Sequence, residues 1–327
     1  MRITLSSAVL LGLLSPAGAD QPIALSWPVA CEVGRSCEVQ HYVDHGGPGG
    51  AKDYRCGSIT YGGHNGTDIR VPTMRDEAAG VDVLAAAAGT VLRSRDGVED
   101  VSVRTIGLAA VADHQCGNGL VIAHLDGFET QYCHMAKASL VVRPGDVVKA
   151  GRVLGHVGLS GETEFPHLHI TVRHNGQVID PFAYGEPEGA CAGGVALWEP
   201  SLAAALAYKA GAVLNAGFAN RALSMEDIEA GAGREPIGAD PAAIVAFVQA
   251  IGLQRGDIQR LVVAGPQATF ADQSAAPLAA NKDQIAMAVG RKRPPTGWPA
   301  GLYTAHYTVQ RGSTVALDRS FSLTIGR

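Results

Sequence analysis

Short apolar runs separated by glycine-rich turns fill the middle of the chain. The runs lie at residues 81–88, 89–91, 119–124, 129–135, 147–157 and 168–172. Asp126-Gly127 stands between the third and fourth runs and is a typical signal for a two-residue hairpin turn. This regular alternation of strand and turn predicts an all-β, antiparallel domain that ends at Asp180-Pro181.

The pattern changes after about residue 194. Residues 303–309 alternate apolar with polar side chains, the period of a half-buried strand, and residues 260–263 and 320–325 also favour strands. Residues 202–214 and 242–251 fit helical and strand spacing alike, so their type stays open. We predict a mainly β chain with a domain at residues 61–190 and a C-terminal, immunoglobulin-like β-sandwich at residues 195–327.

The first residues have the pattern of an export signal. Arg2 precedes an apolar run at residues 3–14, and Ala17-Gly18-Ala19 resembles a cleavage site. The run is too short for a stable membrane anchor. We therefore predict a signal peptide at residues 1–19, no transmembrane span and an exported protein. The alternative for this segment is a buried first helix.

Six cysteines in an exported chain predict disulfides. Cys116 and Cys133 flank the predicted hairpin, so we pair them. Cys31 and Cys37 can close a small loop, which leaves Cys56 and Cys191 as the third pair by elimination. The alternative is a cysteine-rich zinc site, but the chain has no CxxC motif. Three of these cysteines lie in a loop-rich segment at residues 20–60.

Composition limits the class of partner. The net charge is −5, and lysine and arginine are scattered rather than gathered in a stripe. Nucleic acid is therefore not an expected partner.

Five residues in three short motifs have the chemistry of a catalytic metal site. His167 and His169 in HLH share one strand face, about 7 Å apart, whereas Leu168 points to the core. His64 and Asp68 in HNGTD, with His169, supply typical zinc donors and leave a fourth position open. His134 ends the second hairpin strand.

Each motif also has a simpler interpretation. HLH is explained by core or solvated histidines, HNGTD by a hydrogen-bonded turn, and His134 by a half-buried strand histidine. His124 on the partner strand is predicted to be structural. The remaining histidines without a partner pattern are predicted to be solvated: His45, His114, His156, His174 and His306.

The order of the motifs resembles the lysostaphin/LytM-type zinc metalloendopeptidases, which have the duplicated hybrid motif fold. HxxxD, YCHM, RPGDVVKAGRVLGHVGLSG and HLH follow one another within about residues 60–182. The resemblance implies one zinc ion bound by His64, Asp68 and His169, with His134 and His167 as catalytic residues. It also implies a tyrosine that stabilises the oxyanion, for which Tyr61 and Tyr54 are candidates. Cys133 departs from the small residue that many relatives have there.

The same resemblance implies a function. Such enzymes hydrolyse peptide crosslinks of bacterial peptidoglycan with a zinc-activated water, and the bond expected here is the D-alanyl–meso-diaminopimelate bond in a Gram-negative periplasm. The main alternative is a non-catalytic amidase activator or peptidoglycan-binding regulator. A carboxypeptidase and a carbohydrate-binding β-protein are the others. The C-terminal domain is expected to position substrate, bind a protein partner or cover the groove, and residues 20–60 are a second candidate cover.

Overall fold

A computed structural model describes residues 22–47, 50–187, 189–233 and 235–326, and it is mainly β. The predicted signal peptide at residues 1–19 lies outside the described residues. The first ten strands, β1 to β10, are Glu38–His41, Thr67–Arg70, Asp82–Leu84, Gly89–Arg95, Asn118–Ala123, Phe128–Met135, Val147–Val148, Val153–His156, His167–His174 and Gln177–Ile179. Two short helices accompany them, α1 at Met74–Ala78 and α2 at Val103–Ile106, with 3-10 turns at Leu108–Val111 and Leu125–Gly127.

One eight-stranded sheet organises this part of the chain. Its order is β1-β2-β9-β6-β5-β4-β7, and β10 pairs with β9. The pairings are antiparallel, and β3 and β8 form a separate two-stranded sheet. The hairpin between β5 and β6 turns at Asp126 and Gly127, whose φ angles are 55° and 74°. Positive φ at both positions is what a type I′ turn requires, so this prediction is confirmed.

Strand β9 lies between β2 and β6, near the middle of the sheet. Leu168 and Ile170 are completely buried on its core side. The strand begins directly after Pro166, which has no amide hydrogen to donate to a neighbouring strand. This alternation turns His167 and His169 toward the opposite face, as the sequence predicted.

Strand β1 lies within the segment that the sequence indicates as loop-rich. It pairs antiparallel with β2 at the sheet edge. Its four residues are EVQH, and Glu38, Gln40 and His41 are buried despite their polarity. A strand whose buried positions are polar has no apolar alternation, which is why the sequence pattern does not indicate it.

The C-terminal strands form two further antiparallel sheets. Strands β11 to β17 are Ala212–Ala219, Ala243–Leu253, Ile258–Ala264, Thr269–Ser274, Lys282–Lys292, Gly301–Arg311 and Thr314–Ile325. The sheets have the orders β11-β12-β15 and β14-β13-β16-β17 and share one apolar core. The 3-10 turn Pro200–Leu202 precedes them, and helix α3, Met225–Glu229, follows β11. The two ambiguous segments thus contribute strands, while the domain boundaries at residues 60 and 195 stay predictions.

All three predicted disulfides are formed: Cys31–Cys37, Cys56–Cys191 and Cys116–Cys133. The second pair closes the longest loop, because its cysteines are 135 positions apart. No helix within the described ranges has both the length and the apolar character needed to cross a membrane.

Candidate functional site

Three neighbouring strands bring the five predicted residues together. Asp68 lies on β2 and is paired in register with His169 on β9, which is in turn paired with Cys133 on β6. His134 follows Cys133, and His64 lies in the turn that leads into β2. Because β9 separates β2 from β6, residues distant in the chain meet on one face of the sheet.

Three of these side chains converge on a single point. His64 Nε2 lies 3.2 Å from Asp68 Oδ1 and 3.2 Å from His169 Nδ1, and the last two atoms are 2.9 Å apart. All three residues are buried. Tetrahedral zinc with bonds of about 2.0–2.2 Å separates neighbouring ligand atoms by roughly 3.3–3.6 Å, slightly more than these distances. The three donors therefore suit a small divalent cation with little adjustment.

In His64 and His169, the ring nitrogen that faces away from the three converging donors forms a hydrogen bond. These hydrogen bonds indicate which nitrogen of each ring has a free lone pair. His64 Nδ1 donates its hydrogen to the Tyr42 carbonyl at 2.7 Å, and His169 Nε2 donates to Asn65 Oδ1 at 3.1 Å. In a neutral imidazole the other nitrogen is then an acceptor. Two nitrogen lone pairs thus face each other and the Asp68 carboxylate. A bound cation would stabilise these neighbouring acceptors, which otherwise repel one another. A hydrogen bond to the other ring nitrogen is the usual way in which proteins orient histidine ligands.

The electrostatics of the cluster agree with this arrangement. Burial alone raises the pKa of Asp68, but the neighbouring His64 and His167 hold that pKa well below its ordinary value. Burial lowers the pKa of His169. An ionised carboxylate is the form of Asp68 that metal binding requires.

His134 and His167 stand next to the three donors with their rings 4.7 Å apart. His134 Nδ1 donates to the Ser160 carbonyl at 2.8 Å, and His167 Nδ1 donates to the Phe165 carbonyl at 3.0 Å. Both Nε2 atoms are consequently acceptors, and that of His167 lies 3.4 Å from Asp68 Oδ1. Burial lowers the pKa of His134 well below its usual value, which keeps this imidazole neutral and able to take a proton.

His134 is held in an unusual backbone conformation. Its φ is 61°, in the left-handed region that non-glycine residues seldom adopt. The His134 amide donates to the Cys116 carbonyl, and the His134 carbonyl accepts from the Gly158 amide. The disulfide between Cys116 and the preceding Cys133 joins the same two segments. Such strain persists where the surroundings enforce it, often at functional sites.

The site lies in a cleft with two lobes. The first lobe, about 600 Å³, is lined by Asp68, His167 and Phe165 among others. The second lobe, about 470 Å³, is lined by His64, His169 and Gln131 among others. Tyr61, His134 and Glu162 border both lobes. The cleft therefore extends to both sides of the five-residue cluster.

The structure separates the two tyrosine candidates. Tyr61 is half exposed and packs its ring 4.5 Å from that of His64. Burial raises the pKa of Tyr61, so its phenol keeps the hydrogen that an oxyanion donor needs. Tyr54 is instead buried against Tyr42 and Phe182 and lines neither lobe.

One buried histidine of the site has no motif in the sequence. His41 on β1 lies with its Nδ1 3.0 Å from Asp68 Oδ2, the carboxylate oxygen that faces away from the three-donor point. The His41 ring also packs edge-on against the rings of His64 and Tyr61. Because His41 stands alone in a polar strand, no motif or periodic pattern in the sequence indicates it. Strand β1 is thus an integral edge of the sheet beside the site.

Replacing His41 with alanine is expected to weaken metal binding by about 10–100-fold, the range for residues that orient ligands. The fixed orientation of Asp68 depends on the hydrogen bond that His41 provides. Competition with a chelator measures the affinity. His306→Ala is the control, since His306 lies exposed on β16, where it bonds Asp318. An affinity equal to that of the wild type would contradict this role.

The other histidines divide into two groups. His124 contacts the Ala88 carbonyl and Thr130, which confirms a structural role. His114 and His306 are exposed as predicted. The prediction of solvated side chains is wrong for His45 and His174, which are partly buried, whereas the side chain of His156 is 42% exposed. His45 bonds Asp180, and His174 stacks on Phe128, contacts that appear only when distant strands pack.

Comparison with known proteins gives a family match at this site. Residues 62–181 match the sequence pattern of Peptidase family M23. The DD-carboxypeptidase/endopeptidase Mpg of Neisseria meningitidis is 34% identical over 108 residues, 33% of this chain and 23% of that protein. The peptidoglycan DD-endopeptidase ShyB of Vibrio cholerae is 30% identical over 118 residues, 36% of this chain and 22% of that protein. The chain thus spans less than a quarter of the length of these relatives.

Solved structures are similar to part of this chain. A zinc-containing peptidase from Vibrio cholerae is 24% identical, with 47% of this chain and 41% of that chain covered and a TM-score of 0.30. The catalytic domain of the prophage-encoded M23 protein EnpA from Enterococcus faecalis is 26% identical, with 44% and 98% covered and a TM-score of 0.30.

Proposed function

We propose, from the match of residues 62–181 to peptidase family M23, that the chain is a zinc-dependent endopeptidase of bacterial peptidoglycan. The observation that carries the proposal is the convergence of His64 Nε2, Asp68 Oδ1 and His169 Nδ1, with acceptor nitrogens of His134 and His167 beside them. The proposed bond is the D-alanyl–meso-diaminopimelate crosslink.

His64, Asp68 and His169 would hold the zinc ion, because their donor atoms already face one another. When bound, zinc lowers the pKa of water toward ~7 and polarises a carbonyl group. Asp68 contributes the negative charge of the site, and the Tyr42 carbonyl and Asn65 hold the two imidazoles in place. These two hydrogen bonds hold the donor atoms in position independently of a bound metal ion.

His134 and His167 would handle protons. Each has its Nδ1 hydrogen bonded to a backbone carbonyl, so only Nε2 is available to accept a proton in the cleft. One imidazole takes the proton of the attacking water and the leaving amine receives a proton as the peptide bond breaks. Tyr61 is placed beside His64 to donate its phenol hydrogen to the developing oxyanion.

The two-lobed cleft favours an endopeptidase over a carboxypeptidase. A substrate chain that crosses His134 and Tyr61 finds a lobe on each side of these residues. A carboxypeptidase instead needs a cleft that is closed beyond the terminal residue. The intact five-residue set likewise favours catalysis over the alternative of a non-catalytic amidase activator, which needs no such arrangement of acceptors.

Export to a Gram-negative periplasm fits the same proposal. Three disulfides need an oxidising compartment, and crosslinked peptidoglycan is found there.

A digest of purified peptidoglycan tests the proposal. The zinc-loaded protein is expected to convert crosslinked muropeptide dimers to monomers, with new diaminopimelate amino groups visible by mass spectrometry. His169→Ala, run in parallel, is expected to leave the dimers intact. Loss of a terminal alanine from monomers alone would indicate a carboxypeptidase, and stimulation of an added amidase without dimer loss would indicate the regulator.

A further inference from the structure

The C-terminal sheets contribute one wall of the catalytic cleft. The residues at the start of β15, from Asn281 to Gln284, line the first lobe together with Asp68, His134 and His167. They come from a strand more than a hundred positions beyond β9. The first lobe is therefore composite, whereas the second lobe is lined by residues 61–65, 115–116, 131, 133–134, 162, 169, 171 and 173.

Hydrogen bonds from buried side chains fix this wall in place. Gln40 on β1 accepts from Arg70 Nη1 at 2.9 Å and donates to the Asp283 carbonyl at 3.3 Å. Arg70 Nη2 also donates to Glu229 of helix α3 at 3.2 Å. Arg70 and Glu229 are both buried, and removing one partner of a buried ion pair is costly. The start of β15 is thus anchored next to the strand that carries Asp68.

Arg104 completes the same junction and has its charge neutralised. It donates to Glu229 at 2.8 Å and to Glu164 at 3.0 Å. Lys282 is different, because this exposed side chain forms no hydrogen bond or ion pair with any of the described residues, although the neighbouring, largely exposed Asp283 interacts with its charge. Arg104 and His41 also line the first lobe, but both are paired with carboxylates, so Lys282 is the cation whose hydrogen-bond donors have no partner among the described residues.

We propose that Lys282 is a specificity-determining residue that binds a carboxylate of the substrate in the first lobe. The inference rests on the proposed function. In a D-alanyl–diaminopimelate crosslink, the carbon that bears the scissile nitrogen also bears a carboxylate. That anion enters the cleft with the reacting bond, and in the lobe that contains His134 and His167 the ammonium group of Lys282 has hydrogen-bond donors without a partner among the described residues.

A pair of crosslinked peptides tests this assignment. One has the free carboxylate beside the scissile bond, and the other has a carboxamide there. The wild-type, zinc-loaded protein is expected to prefer the carboxylate by about fivefold in kcat/KM, mainly through KM, as for a partly solvated ion pair. Lys282→Gln is expected to lose the preference, and Lys282→Arg to retain it. Lys292→Gln, at the exposed far end of the same strand, is the control and should match the wild type.

A binding measurement separates the failure of this assignment from failure of the proposed function. His169→Ala protein is titrated with both peptides, with and without Lys282→Gln, so that no turnover is needed. The fivefold difference in affinity should disappear with Lys282→Gln. If the wild type cleaves neither peptide, the proposed function fails while this titration still decides the role of Lys282. An undiminished carboxylate preference in Lys282→Gln, in rate or affinity, overturns the assignment.

Discussion

Asp68→Ala is expected to eliminate stoichiometric zinc binding and, with it, peptidoglycan hydrolysis. Asp68 supplies the only anionic donor of the three that converge, and its Oδ1 lies within 3.2 Å of His64 Nε2 and 2.9 Å of His169 Nδ1. Mutation of an outer residue that only orients a ligand lowers metal affinity by about 10–100-fold. Loss of the ligand itself should therefore lower zinc affinity by more than about 100-fold. Metal analysis after dialysis and the muropeptide digest measure the two effects.

Asp68→Asn tests the charge separately from the shape. The amide keeps the volume of the buried side chain but gives up its negative charge, and zinc prefers carboxylate oxygen. We expect it to bind zinc far more weakly than the wild type while remaining folded. Asp113→Ala, at an exposed position outside the cleft, is the matched control and should leave both properties unchanged. Full zinc occupancy in Asp68→Ala would rule out this residue as a ligand.

The parts of the site that the sequence predicts are those set by local geometry. His167 and His169 follow from the period-2 alternation of a strand, and the buried Leu168 between them shows the same rule. The hairpin follows from Asp126-Gly127, since the turn fixes which residues of β5 and β6 pair. The remaining assignments came from the resemblance of motif order, which the match of residues 62–181 to the M23 family supports.

The parts that the sequence does not predict depend on contacts between distant segments. His41 acts beside Asp68 only because β1 pairs with β2, and β1 is too polar to be recognised as a strand. Lys282 lines the cleft because the start of β15 lies beside β1, where Gln40 bonds the Asp283 carbonyl. Neither contact leaves a periodic or motif signal, because each joins residues in separate elements. Tertiary packing thus adds two residues to a site whose centre is evident from motifs.

The strained backbone conformation of His134 lies next to a disulfide and sets the direction of the His134 side chain. A φ of 61° turns this residue out of the regular path of β6. The register between β5 and β6 shifts between Asn118 and Leu120, close to the position where His134 bonds Cys116 rather than the next strand residue. The Cys116–Cys133 disulfide constrains both segments at this irregularity. The side chain is consequently aimed at His167 instead of along the sheet face.

His134→Ala is expected to lower kcat by about 10²–10⁴-fold with little change in zinc content, which is the range for loss of a general acid or base. The three converging donors are untouched by this change, so metal analysis should report one zinc ion per chain. The neutral Nε2 that accepts a proton is lost, and the other two residues that border both lobes, Tyr61 and Glu162, have no imidazole to replace it. Single-turnover rates on a crosslinked dimer measure the effect.

His134→Asn distinguishes chemistry from folding. Asparagine tolerates a positive φ better than alanine, so this variant should be at least as stable in thermal unfolding as His134→Ala. Its amide cannot take up a proton at neutral pH, so its rate should be as low as that of the alanine variant. His124→Ala, which removes a histidine from the neighbouring strand end, should retain the wild-type rate. Recovery of activity in His134→Asn would show that His134 shapes the cleft rather than moving a proton.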